Sequence, residues 1–348
     1  IILSLSTLLL YNKKFSITGY FIGFGNLTNA TWFNVTWHYR IKIEIFSPTD
    51  RTNWPVEVDL NFSDLIPYGT FDWNSTRLFE YDNNGNLLYE VPHQIDDNKT
   101  LIFILNGTTL ANTKRIFYLY YDIVENGIKE KKNYSTNLNY SVSPDKKIVN
   151  VNFTNLAIYI DTNRGGNFSG IYKVVRISDD TTLIDAPESE KPAEYIEYTN
   201  GTHNFTFDLR YNVSIIEGPV RLTIIQKGKE FVEGNINNKG DLEIVKKYYF
   251  YSIMGDGQKG GAFKIEQTII NNGGTSINRS STPAGALALD INRSFAIGSI
   301  DSTTVAGTTN DPFSFFRAGT SGENELAAII NLNETNTTNI RKNRNSFK

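Results

Sequence analysis

Regular alternation of apolar and polar residues between positions 203 and 216 constrains the fold of this chain more than any other feature of its sequence. Large apolar side chains occupy the odd positions from Phe205 to Ile215, and polar side chains occupy the even positions from Asn204 to Ser214. Since successive side chains of a β-strand point to opposite faces, the pattern predicts one long, half-buried strand over residues 204–217. Residues 148–161 likewise predict a single strand.

The composition extends this prediction to the whole chain. Of the 348 residues, 13% are aromatic, 40 are Asn, 26 are Gly and 56 are Ser or Thr. Aromatic and β-branched residues favour strands, whereas Asn, Gly and Ser favour the turns between them. We therefore predict an all-β fold: a short apolar N-terminal segment, a small Ig-like β-sandwich and then a larger two-sheet β-sandwich.

Changes in composition set the predicted domain boundaries. Residues 1–36 combine an apolar segment with a glycosylated linker, residues 37–124 form the small sandwich, and the polar residues 125–147 form a second linker. Residues 148–332 form the larger sandwich. Residues 333–348 form a polar tail or a truncated end.

The N-terminal segment I-I-L-S-L-S-T-L-L-L is too short to span a bilayer, which requires about 20 apolar residues. Three interpretations stay open. It is the end of a signal peptide or membrane anchor whose start is missing, an ordinary first strand, or a strand that inserts into a neighbouring subunit. Any membrane contact is therefore expected only through such an N-terminal anchor.

Charge and cysteine content argue against several classes of function. The 34 basic and 37 acidic residues give a net charge of −3, without the basic surface that nucleic acid binding requires. The lack of cysteine excludes disulfide scaffolds, thiolate metal sites and cysteine nucleophiles. The three histidines, His38, His93 and His203, argue against a His-rich metal centre.

Asn-x-Ser/Thr triplets (sequons) are unusually frequent. The Ser and Thr content would place about six of the Asn residues in such a triplet by chance. The sequence has 18, at Asn26, Asn29, Asn34, Asn61, Asn74, Asn98, Asn106, Asn133, Asn139, Asn152, Asn167, Asn200, Asn204, Asn212, Asn278, Asn292, Asn333 and Asn336. This excess predicts an exported chain with N-linked glycans on its surface. The alternative is a chain that is rich in Asn and Thr because its genome is rich in A and T.

Four segments of the first half carry a resemblance by their order. They are W-H-Y-R-I-K-I-E-I at 37–45, P-V-E-V-D-L-N-F at 55–62, S-T-R-L-F-E-Y-D-N-N-G-N at 75–86, and L-I-F-I-L-N-G-T-T-L-A-N-T-K-R-I-F-Y-L-Y-Y-D at 101–122. Together, residues 37–123 resemble a small β-sandwich module of archaeal and bacterial cell-surface proteins. The resemblance implies an extracellular, cell-surface location. The segment F-S-I-T-G-Y-F-I-G at 15–23 resembles the region just after the membrane anchor of archaeal surface proteins, which favours an archaeal source.

A second resemblance lies in E-G-P-V-R-L-T-I at 217–224, K-K-Y-Y-F-Y at 246–251 and F-K-I-E-Q-T-I-I-N-N at 263–272. These segments are similar to the large β-sandwich of polysaccharide-lyase-like and mutarotase-like proteins. The resemblance implies contact with carbohydrate at the level of the fold. No catalytic residue pattern maps onto the sequence, so we assign no catalytic residues.

Two stretches are rich in the oxygen ligands that Ca²⁺ prefers. The acidic stretch 179–197 includes Asp179, Asp180, Asp185 and Glu188, which form either a calcium site or a solvated acidic loop. The stretch 82–86 resembles the start of a calcium loop but lacks its closing Glu. A hairpin with a type I′ turn at Asn84-Gly85 explains that stretch instead.

Enzymatic candidates are weaker. A β-eliminating lyase needs a base and a cation, and His203, Arg210 and Tyr211 are close in sequence, but strand parity places Arg210 on the opposite face from the other two. The aromatic run at 117–121 belongs to the core unless its rings face outward, where they would stack on sugars.

We therefore expect a non-enzymatic cell-surface structural or adhesion protein, such as an S-layer-like or filament subunit. Its expected partners are copies of itself or other surface proteins, N-linked glycans, and a polysaccharide in one interpretation. The alternative is a carbohydrate-active protein, either a polysaccharide lyase or a carbohydrate-binding module. An enzyme would show a concave face with convergent polar groups, whereas an assembly subunit would show sequon-free apolar patches or an unpaired strand edge.

Overall fold

The computed structural model describes residues 21–23, 30–253 and 263–271, apart from residues 67, 146, 154, 165–167, 186–193, 196–197 and 211, and seven short strands beyond residue 271. The chain divides between Thr136 and Asn137 into two compact units, with Gly218–Val220 grouped with the first. The apolar segment at 1–10 and the tail at 333–341 lie outside the described residues.

The first unit is built from two antiparallel sheets. Its described strands are β1 (Phe21–Gly23), β2 (Tyr39–Ser47), β3 (Arg51–Asp59), β4 (Arg77–Tyr81), β5 (Leu87–Val91), β6 (His93–Asp96), β7 (Thr100–Thr109) and β8 (Thr113–Tyr121). One sheet has the order β1-β2-β8-β4-β5 and the other β3-β7-β6. A short helix, α1 (Phe62–Leu65), follows β3, and 3₁₀ turns occupy Trp73–Ser75 and Val124–Asn126.

Alternate residues of these strands form the core between the two sheets. Ile43 of β2 and Val58 of β3 are fully buried there. The rings of Phe103 on β7 and Phe117 on β8 meet at 4.9 Å. The small β-sandwich predicted from the alternation is thus confirmed.

The outer face of the larger sheet is also covered. Tyr118 and Tyr120 point away from the sandwich core, yet both are fully buried. Residues 30–37 pack over them, with the Phe33 ring 4.7 Å from that of Tyr120. The Arg40 guanidinium lies 4.5 Å from the Tyr118 ring centre. This corrects the sequence interpretation of residues 1–36 as an apolar segment followed by a linker, because residues 30–36 complete a layer of the fold.

The polar stretch 125–147 also differs from the linker predicted there. The Lys129 amide donates to the carboxylate of Asp72 at 2.7 Å, and the Arg77 guanidinium donates to the carbonyl of Glu130 at 2.6 Å. The hydroxyl of Tyr134 donates to Glu90 at 2.8 Å. These three hydrogen bonds hold residues 129–134 against the strands and turns of the first unit.

The second unit is also antiparallel. Its strands are β9 (Asn139–Val142), β10 (Ile148–Phe153), β11 (Leu156–Arg164), β12 (Phe168–Arg176), β13 (Thr181–Asp185), β14 (Glu194–Tyr195), β15 (Tyr198–Thr199), β16 (Asn204–Asp208), β17 (Val213–Ile216), β18 (Arg221–Val232), β19 (Asn235–Tyr251), β20 (Phe263–Asn271), β21 (Ser280–Ser281), β22 (Ala288–Asp290), β23 (Phe295–Ser299), β24 (Phe313–Ala318), β25 (Leu326–Ile330), β26 (Lys342–Asn343) and β27 (Ser346–Phe347).

Two of its sheets enclose the main core. They have the orders β13-β12-β11-β10-β9 and β20-β19-β18-β16-β15-β21, with β17 also paired to β18. Val151 and Ile158 of the first sheet pack with Ile224 and Phe250 of the second. The larger sandwich is therefore confirmed. Smaller sheets have the orders β14-β22-β27-β26 and β23-β24-β25.

Both strands predicted as single long elements are in fact pairs. Residues 148–161 form a hairpin in which Phe153 pairs with Leu156. The stretch 204–217 forms two strands, β16 and β17, and both pair with β18. Between them, the four residues 209–212 lie opposite only the two residues 227–228 of β18. An insertion of two residues leaves the following side chains on the same faces as before. The apolar and polar alternation in the sequence therefore continues across the interruption and does not reveal it.

Gly228 is required at that interruption. A methyl group on its Cα would overlap the carbonyl oxygen of Asp208 and lie 3.0 Å from a methyl carbon of Leu209. The two strand backbones approach each other closely there because no side chain separates them.

Candidate functional site

The described sequon residues all have access to solvent. Ten are exposed: Asn34, Asn61, Asn98, Asn106, Asn133, Asn139, Asn152, Asn200, Asn204 and Asn212. Asn74 is half-buried. Seven lie outside the described residues: Asn26, Asn29, Asn167, Asn278, Asn292, Asn333 and Asn336. A glycan can be attached at each of the exposed residues without displacing the core.

Strand parity explains this exposure where a sequon lies on or beside a strand. Asn152 of β10 is exposed, whereas Val151 and Phe153 beside it are buried. Asn61 is exposed between the buried Leu60 and Phe62. The polar faces predicted for these residues are confirmed, and glycosylation itself stays a prediction.

The calcium candidates are only partly described. Asp179 is exposed, and its carboxylate accepts from the Arg176 guanidinium at 2.6 Å. Asp180 is exposed beside it, and Asp185 ends β13. Glu188 lies outside the described residues. Within the described part of the chain, no group of three or more His, Asp or Glu side chains is placed to hold a metal ion.

The hairpin predicted at Asn84-Gly85 is present between β4 and β5, but its turn is not type I′. A type I′ turn requires positive φ at both central residues. Gly85 has a φ of 85°, but Asn84 does not have a positive φ. The Asp82 carboxylate accepts from the backbone amides of Asn84 and Asn86, both at 2.8 Å. These hydrogen bonds shape a longer loop around Asp82.

The enzymatic candidates do not converge in the described residues. His203 is exposed, and the guanidinium of Arg210 donates to the carboxylate of Asp208 at 2.9 Å. Tyr211 lies outside the described residues. The aromatic run on β8, from Phe117 to Tyr121, is buried on both faces and so offers no ring to a sugar.

A cleft in the first unit was not predicted from the sequence. It has a volume of about 470 Å³ and lies beside α1 and the Trp73–Ser75 turn. Its aromatic floor is formed by Phe62, Phe71 and Trp73, and its polar residues include Asn61 and Asn98. Two predicted glycosylation sites therefore border one aromatic surface.

Local interactions hold the cleft in shape. The ring of Trp73 lies 4.6 Å from that of Phe71 and 5.2 Å from that of Phe62. Phe62 and Phe71 are buried, whereas Trp73 is 41% exposed. The carboxylate of Asp72 caps the turn by accepting from the Asn74 amide at 3.0 Å. No signal in the sequence marked this cleft, because its three rings come together only through tertiary contacts.

Comparison with protein-family models and with curated proteins finds no match for this chain. Within the described residues, no helix is both long enough and apolar enough to cross a membrane. The function therefore has to be argued from the sequons, the exposed surfaces and the aromatic cleft.

Proposed function

We propose that this chain is an exported, N-glycosylated cell-surface protein with a structural or adhesive role, such as a subunit of an S-layer-like lattice or a filament. The observation that carries the proposal is the threefold excess of sequons, with every described sequon Asn outside the buried core. Glycans at those positions would cover much of the surface without disturbing either sandwich.

A sequon-free surface in the first unit supports self-assembly. Strand β5 is at the end of its sheet, and Leu88 and Tyr89 on it are 51% and 39% exposed. Residues 75–97, which include β4, β5 and β6, hold no sequon. Apolar side chains on an edge strand are a common route to pairing between chains.

Mass spectrometry of glycopeptides from the protein purified from its natural source tests the glycosylation. Glycans on most of the exposed sequons are expected, and a chain whose intact mass equals that of the bare polypeptide would refute an N-glycosylated protein.

Electron microscopy of the same material tests the assembly, with and without a calcium chelator. Ordered sheets or filaments are expected. Their loss on chelation would support a structural role for Ca²⁺ at the acidic stretch 179–197. Leu88→Lys should prevent assembly, whereas the matched change Leu110→Lys, at a residue that is 58% exposed in the β7–β8 turn, should not. Dispersed monomers of the unaltered protein in both conditions would refute self-assembly.

The second candidate is a carbohydrate-binding protein. The aromatic cleft at Trp73 favours it, because an exposed aromatic ring with polar residues such as Asn61, Asn98 and Lys99 around it suits the apolar face and the hydroxyl edge of a sugar. Binding of labelled polysaccharides to the protein, abolished by Trp73→Ala, would support this candidate over a purely structural one.

A further inference from the structure

The aromatic cleft of the first unit has the properties of a saccharide site. Its floor consists of the rings of Phe62, Phe71 and Trp73, and Asn98 and Lys99 supply an amide and an ammonium group. Sugar rings stack their C–H face on aromatic rings and direct hydroxyls to such polar groups. The volume of about 470 Å³ lies within the range of small-molecule sites.

Asn61 both lines this cleft and begins a sequon. Its side-chain amide nitrogen donates to the carboxylate of Asp64 at 2.6 Å, and its amide oxygen accepts from the hydroxyl of Ser63 at 2.7 Å. These bonds fix the direction of the side chain. An N-linked glycan replaces one of the two amide hydrogens, so the other can still donate to Asp64.

We infer that the cleft holds the first sugar rings of an N-linked glycan attached to Asn61 of the same chain, stacked on Trp73. This inference rests on the proposed function, because it requires Asn61 to be glycosylated. A covalently attached sugar is present at a high effective concentration, so a modest stacking energy suffices to keep it in the cleft. The glycan then acts as a part of the first unit and stabilises it.

A double-mutant cycle tests this in protein made by a host that N-glycosylates it, with the unglycosylated protein from a second host as reference. Asn61→Gln and Ser63→Ala each remove the sequon, and Ser63→Thr retains it. Trp73→Leu removes the stacking surface, and its own packing cost cancels in the cycle. All four tryptophans precede residue 136, so tryptophan fluorescence follows the melting of the first unit.

Loss of the Asn61 glycan should lower the melting temperature by about 4 °C when Trp73 is present and by less than about 1 °C in Trp73→Leu. The unglycosylated protein should show no such coupling. Asn106→Gln is the matched control, since Asn106 is an exposed sequon residue that does not line the cleft. It should have the same effect with and without Trp73.

Three results would overturn the inference. The first is equal destabilisation by Asn61→Gln in both Trp73 backgrounds, with Asn61 occupied by mass spectrometry; this leaves the proposed function intact. The second is an Asn61 without a glycan in a chain that is glycosylated at other sequons, or a Trp73 whose coupling is to the glycan on Asn98 and not to one on Asn61. The third is binding of free oligosaccharides to the glycosylated protein at Trp73, which would mean that the cleft is open to an external ligand. A chain without any glycan would refute both the inference and the glycosylated role.

Discussion

A buried histidine should make the stability of the first unit depend on pH. His93 is 5% exposed on β6, and its Nδ1 lies 3.2 Å from the carbonyl oxygen of Val91 and 3.3 Å from the hydroxyl of Tyr134. Burial, aided by the positive charge of Arg77, lowers the pKa of His93 from 6.5 to about 4, despite the opposing effects of Val91 and Glu90. The histidine therefore stays neutral in the folded protein down to about that pH.

The size and sign of the effect follow from proton linkage. In the unfolded chain the histidine titrates with its ordinary pKa, so between about pH 6.5 and 4 the unfolded state binds a proton that the folded state does not. Acidification in this window consequently favours unfolding. One pKa unit corresponds to about 1.4 kcal/mol, so the first unit should lose about 2–3 kcal/mol between pH 7 and 4.5.

The carboxylates with lowered pKa values act in a different window. Burial raises the pKa of Asp122, but hydrogen bonds from Asn126 and His38 outweigh it and leave the pKa below its ordinary value. A lowered carboxylate pKa gives stability that is present above the ordinary value and is lost as the pH falls through the folded value. These losses are therefore concentrated below about pH 4.5.

Urea unfolding at a series of pH values, followed by tryptophan fluorescence, measures the effect in the first unit. His93→Gln should remove most of the dependence between pH 7 and 4.5, whatever its own cost to stability. His203→Gln is the control, because His203 is exposed and belongs to the second unit, which contains no tryptophan. A His93→Gln protein with the same pH dependence as the unaltered chain would refute the reasoning.

Three further predictions concern packing and modification. Arg115→Met removes the guanidinium that pairs with the buried carboxylate of Glu80 on β4, and it should lower the free energy of unfolding by about 3–5 kcal/mol in urea. Lys114→Met changes a side chain that is 46% exposed and should cost less than about 1 kcal/mol. Gly228→Ala should destabilise the second unit by about 3 kcal/mol in calorimetry, because the strand backbones must separate. Gly107→Ala, where φ is 75° but the space is open, should cost the first unit only about 1 kcal/mol; equal costs would show that backbone contact is not what requires glycine at 228. The half-buried Asn74 should carry less glycan than the exposed sequons if transfer occurs on the folded chain, as glycopeptide quantification will show.

Local patterns were sufficient to predict the class of fold and the polar faces that carry the sequons. Alternation at period two depends only on chain geometry, so it identified most strands with one buried and one wet face, although β9 was missed within the predicted linker 125–147. It failed where an even number of residues interrupts the ladder, as between β16 and β17, because parity is the same on both sides. It also missed the tight reversal between Phe153 and Leu156, whose flanks both read as strand.

The aromatic cleft was beyond any local pattern. Phe62 lies in α1, Phe71 pairs with Ile123 in an isolated bridge, and Trp73 begins the 3₁₀ turn. Their rings lie 4.6 to 5.2 Å apart although no single strand or helix contains all three. Each ring alone resembles an ordinary core residue in the sequence. The packing of exposed Trp73 on the buried rings of Phe62 and Phe71, beside Asn61, is a property of the assembled surface.

The sequence by itself determined that the chain is all-β, that it has no cysteine, and that its described sequon residues fall on polar positions. These properties follow from composition and from the two-residue period of a strand. Only the tertiary structure decided which outer faces are covered, as residues 30–37 cover Tyr118, and which aromatic rings remain open. The physical reason is that coverage depends on contacts between residues distant in sequence, such as those that bury Tyr118 and leave Trp73 at the surface.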